Sequence, residues 1–182
     1  STFHTYYMDV VTGAPRYGNT QQGYADDSCW SRGQAWGIYG FLLSYIYTGD
    51  ETMIALSKRL ANYFLNRLPE DYVCHWDLAL VGTDALRDSS SAAIAVCGLL
   101  ELVKHLPVTD PDRERYLAWA KGIMSSLTRH YLMGKEEKGN GVLKHSVYHL
   151  ASNKGVDECA SWGDYFYVEA LVRFTQSWKL YW

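Results

Sequence analysis

One stretch near the start of the chain combines flat aromatic surfaces, a fixed cation and side-chain amides. It runs from Gln22 to Gly37 and reads QGYADDSCWSRGQAWG. Indole faces stack on pyranose rings, the planar guanidinium of Arg32 matches a carboxylate or a sulfate group, and the amides of Gln22 and Gln34 can bind hydroxyl groups. This combination favours a site for an acidic sugar, although an aromatic-rich helix start more often serves packing.

The overall charge argues against several classes of partner. Lys and Arg number 17 against 20 Asp and Glu, so the net charge is -3 and no basic surface is predicted for nucleic acid or for an anionic membrane. No apolar run reaches the length of a membrane span. An anionic ligand must therefore be held by local groups, and the 182 residues suffice for one compact domain.

The motifs that usually mark metal, nucleotide or nucleophile chemistry are missing. The four cysteines, Cys29, Cys74, Cys97 and Cys159, form no C-x-x-C pair and have no His at ligand spacing. The chain has no G-x-S-x-G, no P-loop and no H-E-x-x-H sequence. We therefore predict no metal and no cofactor, and we expect Cys97, which lies inside an apolar run, to be a free buried thiol.

Helical periodicity dominates the chain, and the alternation typical of strands is scarce. The predicted helices are Gly33–Tyr47, Glu51–Leu68, Ser89–Val103, Pro111–Tyr131 and about Gly163–Lys179. The first, third and fifth are predicted to be inner, buried helices, whereas the second and fourth are each predicted to have one solvent-exposed face. Residues 134–157 form the longest irregular region, and long ordered loops are often functional.

Helix ends and close contacts are also marked in the sequence. Asp88, before Ser89, is predicted to be an N-cap, and so is Asp110, which precedes Pro111 at the first helical position. A stripe of small residues on the first helix predicts the close approach of a neighbouring helix. Its members are Gly33, Gly37, Gly40 and Ser44.

Alternating buried and half-exposed helices, with long loops at one end, are typical of an all-α toroid whose inner helices line a cup. Two and a half helical hairpins cannot close such a ring. The exposed sides of the first and last helices therefore need cover from further chain, from a second copy or from rearranged packing. If the chain folds alone, we expect it to self-associate through these sides.

Five motifs occur in the same order in a known family of glycosidases. They are His4, residues 22–36, Arg87-Asp88-Ser89-Ser90, Leu143-Lys144-His145-Ser146 and residues 162–171. In these motifs the chain resembles the unsaturated glucuronyl hydrolases of glycoside hydrolase family 88 over essentially all 182 residues. The resemblance implies an (α/α)6 toroid of six helical hairpins. Residues 1–182 would be about half of it, the C-terminal portion of a single catalytic domain.

The resemblance also implies a reaction. Such enzymes remove a 4,5-unsaturated uronic acid from the non-reducing end of oligosaccharides that lyases release, here of the glycosaminoglycan type. In the family, an aspartic acid protonates the enol ether double bond and helps water to add, which differs from the two-carboxylate attack at the anomeric carbon. The two catalytic aspartates lie upstream of the segment that begins at His4. No catalytic residue is therefore predicted on this chain, and the isolated 182 residues are expected to be inactive.

Substrate-binding residues, by contrast, are implied on this chain. They are His4 and Gln22 for hydrogen bonds, Arg32 for an anionic group and Trp36 for stacking. An alternative for Arg32 is a structural ion pair with Asp26 or Asp27, which would stay ionised beside it.

The long irregular region carries two further expected contacts. Ser152 and Lys154 lie where some members of the family hold a sulfate group, so the resemblance implies that they bind substrate. His149 stands where those members have Ser, which weakens the expected preference for sulfate. The alternative for Lys154 is a solvated loop charge.

Two other functions fit the same residues. One is that of the unsaturated rhamnogalacturonyl hydrolases, which share the toroid but act on pectin-derived substrates. The other is a half-barrel that binds acidic sugars without turnover. In each case the expected ligand is an acidic or unsaturated oligosaccharide, and the expected protein partner is a second copy or a missing N-terminal half.

Overall fold

The computed structural model describes residues 1–180 and contains five α-helices and two β-hairpins. The helices are α1 (Ser31–Thr48), α2 (Glu51–Leu65), α3 (Ser89–His105), α4 (Pro111–His130) and α5 (Ser161–Thr175). The strands are β1 (Thr5–Met8), β2 (Pro15–Asn19), β3 (Ser146–His149) and β4 (Lys154–Glu158), with a short 3-10 turn at Leu150–Ser152. All five predicted helices are present.

Helix α3 is the centre of the core. Every residue from 89 to 102 is buried, and the helix packs against α1, α4 and α5. Gly98 allows the closest approach, because a Cβ there would lie 2.9 Å from the Ile38 side chain and 3.2 Å from the backbone nitrogen of Tyr39. The sequence therefore predicted the burial of α3 correctly, and Cys97 is the free buried thiol that we expected.

The small residues of α1 do not act as one stripe. A Cβ at Gly37 would lie 2.8 Å from the Leu60 side chain of α2, so helices approach closely there. Gly40 faces open space, and Gly33 faces the ring of Trp30 next to it in the chain. The prediction was right for one position only.

Both predicted acidic N-caps are confirmed. The Asp110 side chain accepts a hydrogen bond from the backbone N–H of Asp112, with Pro111 in the first turn of α4. Two predicted helix ends were wrong. Helix α2 ends at Leu65 rather than Leu68, and α5 ends at Thr175 because the next residue, Gln176, is fully extended at φ -152°.

The two β-hairpins were missed. The β1–β2 turn is held by the Asp9 carboxylate, which accepts hydrogen bonds from the backbone of Val11 and Thr12, and Gly13 takes a positive φ. The β3–β4 hairpin lies in the predicted irregular region, and Asn153 takes the left-handed conformation at its turn. The strands have only four or five residues each, and both pairs contain a bulge. The alternation of apolar and polar residues that would predict a strand is therefore too short to recognise.

Helices α1, α3 and α5 are neighbours that run in the same direction. At their N-terminal ends, Ser31 of α1 contacts Ser91 of α3 (Oγ–Oγ 2.9 Å), and the Trp162 indole of α5 donates to the Ser90 hydroxyl at 3.1 Å. Further along, the Arg173 guanidinium of α5 donates to Glu101 of α3 and, at 2.5 Å, to the Tyr39 hydroxyl of α1. Three helix N-termini therefore meet at one end.

Within residues 1–180, no helix is both long and apolar enough to cross a membrane.

Candidate functional site

The meeting point of the three helix N-termini is organised around Asp88. This fully buried carboxylate caps α3 by accepting the backbone N–H groups of Ser90 and Ser91. It also accepts both serine hydroxyls, at 2.5 Å and 2.8 Å, and the guanidinium of Arg32 at 3.0 Å. Its five donors and its burial leave Asp88 no route to a ligand.

Arg32 is the second element of this centre. Its Nη1 donates to Asp88 and to the carbonyl of Val147 (2.8 Å), and its Nη2 donates to the carbonyl of Tyr148 (3.0 Å). The side chain is only 4% exposed, and burial lowers the pKa of its guanidinium although Asp88 opposes that effect. Three of its five N–H donors are thus already used.

Two indoles enclose the Arg32 guanidinium. The ring centroid of Trp30 lies 4.7 Å from its central carbon, and that of Trp162 lies 5.1 Å away. Such cation–π contacts gain strength where water is excluded. The alternative pairing of Arg32 with Asp26 or Asp27 is wrong, because Arg32 pairs with Asp88 instead.

The cause of that error is visible in the loop before α1. Asp26 accepts a hydrogen bond from the backbone of Thr20 at 2.9 Å instead, and it stays exposed, as does Asp27. A buried carboxylate 56 residues along the chain, Asp88, satisfies Arg32 in their place.

Asp77 holds the loop before α1 in shape, and the sequence reasoning missed it. This buried carboxylate accepts hydrogen bonds from the backbone N–H groups of Tyr24 (2.9 Å) and Cys29 (3.2 Å) and from the Ser28 hydroxyl (2.6 Å). The available signal was an acidic residue within the apolar run Trp76-Asp77-Leu78-Ala79-Leu80. Buried carboxylates need several donors, so they often organise loops.

His4 packs against this loop. Its ring stacks on Trp30 with centroids 4.3 Å apart, and its Nδ1 accepts the backbone N–H groups of Gln21 and Gln22, each at 3.2 Å. Partial burial lowers the pKa of the imidazole, and nearby Arg32 and His149 add to the effect. His4 is therefore neutral near pH 7, with its proton on Nε2.

Gln22 is half-buried and Trp36 is exposed, in contrast to the buried Arg32. The Gln22 amide nitrogen donates to the Tyr148 carbonyl at 2.6 Å, which leaves its amide oxygen as an acceptor. Trp36 lies one helical turn after Arg32, is 38% exposed and meets Phe166 edge-on at 5.1 Å. The contact with Phe166 fixes the orientation of the indole, and the exposed part of the ring is available for stacking.

The β3–β4 hairpin carries the other two predicted contacts. The Ser152 hydroxyl lies 2.5 Å from Nδ1 of His149, and His149 Nε2 lies 2.6 Å from the carbonyl oxygen of Gln21. Lys154 pairs with His149 in the strand register, and its side chain is exposed. The structure thus links His4, Gln22 and Ser152 through one hydrogen-bond network.

The candidate site is an open face rather than an enclosed cavity. A cavity of about 700 Å³ lies instead between the segment before α3 and the base of the β3–β4 hairpin, and Asp71, Arg87, His145 and Asp157 are among its lining residues. None of the six predicted contacts lines it. Among the described residues, no group of three or more His, Cys, Asp or Glu is placed to hold a metal ion.

No protein-family model matches the chain. It is 51% identical over 183 residues to the unsaturated chondroitin disaccharide hydrolase of Streptococcus pneumoniae, which covers 100% of this chain and 46% of that protein. It is 40% identical to the unsaturated glucuronyl hydrolase of Bacillus sp. (strain GL1), which covers 100% and 48%. The chain therefore spans about half the length of the curated relatives that it matches.

Solved structures agree with these matches. A crystal structure of unsaturated glucuronyl hydrolase from Streptococcus agalactiae superposes with a TM-score of 0.95 at 51% identity, covering 100% of this chain and 46% of that one. A mutant of that enzyme complexed with dGlcA-GalNAc6S gives a TM-score of 0.89, covering 100% and 48%. The predicted fold, about half of an α/α toroid, is confirmed.

Proposed function

This chain belongs to the family of unsaturated glucuronyl hydrolases, and from that premise we propose that it supplies the substrate-binding part of a glycosidase. The enzyme would release a 4,5-unsaturated uronic acid from lyase-generated oligosaccharides of the glycosaminoglycan type. The observation that carries the proposal is the convergence of His4, Gln22 and the β3–β4 hairpin beside the N-termini of α1, α3 and α5. Residues 1–182 would form one portion of a single toroidal domain.

Each accessible group has a distinct role in this proposal. Trp36 offers an indole face to the sugar ring, the Nε2–H of His4 donates to a sugar oxygen, and the Gln22 amide oxygen accepts from a hydroxyl. The aligned N-termini of three helices favour a carboxylate beside them. Arg32 contributes through its position, because its charge is balanced by Asp88 and most of its donors are used.

The proton donor is assigned to sequence outside this chain. Asp88 is buried and accepts hydrogen bonds from five donors. Asp77 is also buried, and its carboxylate accepts hydrogen bonds from the loop before α1. Asp26 accepts the Thr20 backbone N–H. A general acid must reach the substrate and hold a proton near neutral pH, and the two buried carboxylates, Asp88 and Asp77, are not placed to do so.

A negatively charged substituent on the second sugar would meet the β3–β4 hairpin. The Lys154 ammonium is exposed there, and a related enzyme has been crystallised with dGlcA-GalNAc6S, a sulfated disaccharide. In this chain the Ser152 hydroxyl lies 2.5 Å from Nδ1 of His149, a contact that competes with any hydrogen bond from Ser152 to a sulfate. We therefore expect Lys154 to attract the anion and the selectivity for sulfate to be modest.

The test uses a chimaera in which these 182 residues replace the matching 46% of the Streptococcus pneumoniae relative. The assay is loss of the ultraviolet absorbance of the conjugated enol acid from an unsaturated chondroitin disaccharide. We expect turnover by the chimaera and none by the 182 residues alone. Turnover by the chain alone would show that it carries its own acid and would overturn the assignment above.

Two further outcomes decide between the alternatives. A folded chimaera that hydrolyses only an unsaturated rhamnogalacturonan disaccharide would identify a pectin-type enzyme. A folded chimaera that binds either disaccharide without turnover would leave the binding-only function. The unmodified relative is the control for substrate quality.

A further inference from the structure

The segment Gln21–Gln22 is held by histidines from two sides. On one side, Nδ1 of His4 accepts the N–H groups of both residues at 3.2 Å. On the other, Nε2 of His149 lies 2.6 Å from the carbonyl oxygen of Gln21. The two histidines are 145 positions apart and belong to the N-terminal segment and the β3–β4 hairpin, respectively.

The partners of His149 fix its protonation pattern. A carbonyl oxygen can only accept, so Nε2 of His149 must carry the proton that reaches Gln21. In the neutral ring, Nδ1 is then an acceptor, and the Ser152 hydroxyl at 2.5 Å supplies the proton that it accepts. Ser152 therefore orients His149, and His149 in turn orients Gln21.

From these contacts we infer that His149 is a positioning residue, which clamps Gln21–Gln22 to the β3–β4 hairpin and so aims the Gln22 amide at the ligand. The clamp is reinforced by the Gln22 side chain, whose amide nitrogen donates to the Tyr148 carbonyl at 2.6 Å. That carbonyl also accepts from Arg32. The amide nitrogen of Gln22 is thus committed to the protein, and its oxygen is the atom left to select a donor on the sugar.

The clamp acts by removing alternative positions of a loop segment. Without His149, the Gln21 carbonyl would lose its partner and the segment would be held by His4 and the Gln22 side chain alone. One hydrogen bond contributes about 0.5–1.5 kcal/mol, which corresponds to roughly a two- to twelvefold change in an equilibrium. The effect on ligand binding rests on the proposed function, whereas the clamp itself does not.

The clamp can be tested by NMR on the 182-residue chain in the absence of ligand. We expect the ¹⁵N shifts of the His149 ring to report a protonated Nε2 and an unprotonated Nδ1. A ring with Nε2 unprotonated would overturn the inference, and this measurement needs no variant.

The variants add a second readout. In His149→Ala we expect the backbone amide protons of Gln21 and Gln22 to exchange with solvent about tenfold faster. In His149→Gln we expect most of the protection to return, because the glutamine amide can also donate to the Gln21 carbonyl. His130→Ala, a change of an exposed histidine at the end of α4, is the matched control and should leave both amides unchanged. Unchanged exchange in His149→Ala would refute the clamp.

The ligand consequence is measured in the chimaera. We expect His149→Ala to raise KM for the unsaturated disaccharide by about tenfold at nearly constant kcat, with recovery in His149→Gln. An equal loss of kcat would contradict a positioning role. If the NMR results hold and the chimaera has neither activity nor affinity, the proposed function fails while the clamp stands.

Discussion

Arg32 and Asp88 form a buried ion pair between α1 and the N-terminus of α3, with 3.0 Å between Nη1 and the carboxylate oxygen. Both charges also have further hydrogen-bond partners, from two carbonyls on the arginine side and from two serines on the aspartate side. A buried pair with this coordination joins the cap of α3, the start of α1 and strand β3. Its integrity decides whether the candidate site exists.

Removing one partner should therefore destabilise the chain strongly. We expect Arg32→Ala to lower the free energy of unfolding by roughly 3–5 kcal/mol, because Asp88 would remain buried without its cation. Lys58→Ala, which breaks the more exposed pair with Asp110, should cost about 1 kcal/mol or less. Urea unfolding followed by circular dichroism measures both, and equal costs would contradict the structural role of Arg32.

Trp36 should matter for ligand binding more than for folding. Because Trp36 is 38% exposed and is oriented by a T-shaped contact with Phe166, we expect Trp36→Ala to weaken binding of the unsaturated disaccharide by at least about tenfold in the chimaera. Trp36→Phe should retain part of the affinity. Tyr47→Ala, an exposed aromatic at the other end of α1, is the matched control, and a similar loss there would argue against a stacking site at Trp36.

The state of His4 should make stability depend on pH. Partial burial, Arg32 and His149 lower its pKa below the ordinary value of 6.5, so the unfolded chain binds this proton more readily than the folded chain does. The contribution of neutral His4 is therefore complete above pH 6.5 and is lost as the pH falls through the folded pKa.

A variant isolates that contribution. We expect the midpoint of urea unfolding to fall as the pH drops below 6.5 in the wild-type chain, and to fall less steeply in His4→Gln. The difference between the two curves separates His4 from carboxylates that titrate nearby. Parallel curves would show that the Nδ1 contacts with Gln21 and Gln22 do not depend on a neutral ring.

The four thiols should differ sharply in reactivity. Burial raises the pKa of the Cys29 thiol to about 11, and the complete burial of Cys74 and Cys97 also raises the pKa values of their thiols. Cys159 is partly exposed, so we expect it to react first with a thiol reagent at pH 8, more slowly than a free thiol because its pKa is also raised. Mass spectrometry should show one modified cysteine in the native chain and four in urea.

The exposed flank of α5 should cause self-association when the chain is alone. Val168 and Leu171 are 50% and 39% exposed on a helix whose other side is buried in the core. We expect light scattering to show concentration-dependent association that Val168→Glu with Leu171→Glu reduces. A monomer at all concentrations would contradict this prediction and would show that the exposed flank of α5 is stable in water.

Helix positions were predictable because local chemistry decides them. Asp88 and Asp110 were read as caps from the residues that follow them, and α3 was read as buried because Glu101 is its one charge between Ser89 and Val103. The short strands were not predictable in this way. Their pairing depends on bulges and on left-handed residues such as His145 and Asp157, for which Gly would be the usual signal.

The residue types of the site were predictable from the sequence, but the hydrogen-bond partners of these residues were not. The stretch around Arg32 was identified as polar and aromatic, yet its partners Asp88, Val147 and Tyr148 come from sequence 56 to 116 positions away. Local reasoning offered Asp26 and Asp27 because they are near in the chain. The sequence alone does not indicate which distant acidic residue will pair with a buried cation, so the pairing of Arg32 with Asp88 could not be predicted.

The same long separations have a consequence for how the chain folds. The contacts of Arg32 close loops of 56 and 115 residues, and each closure costs chain entropy before any contact compensates for it. No local segment can form this centre, so it appears only when most of the native topology is in place. The indoles of Trp30 and Trp162, which enclose the guanidinium, are consequently natural fluorescent reporters of the last stage of folding.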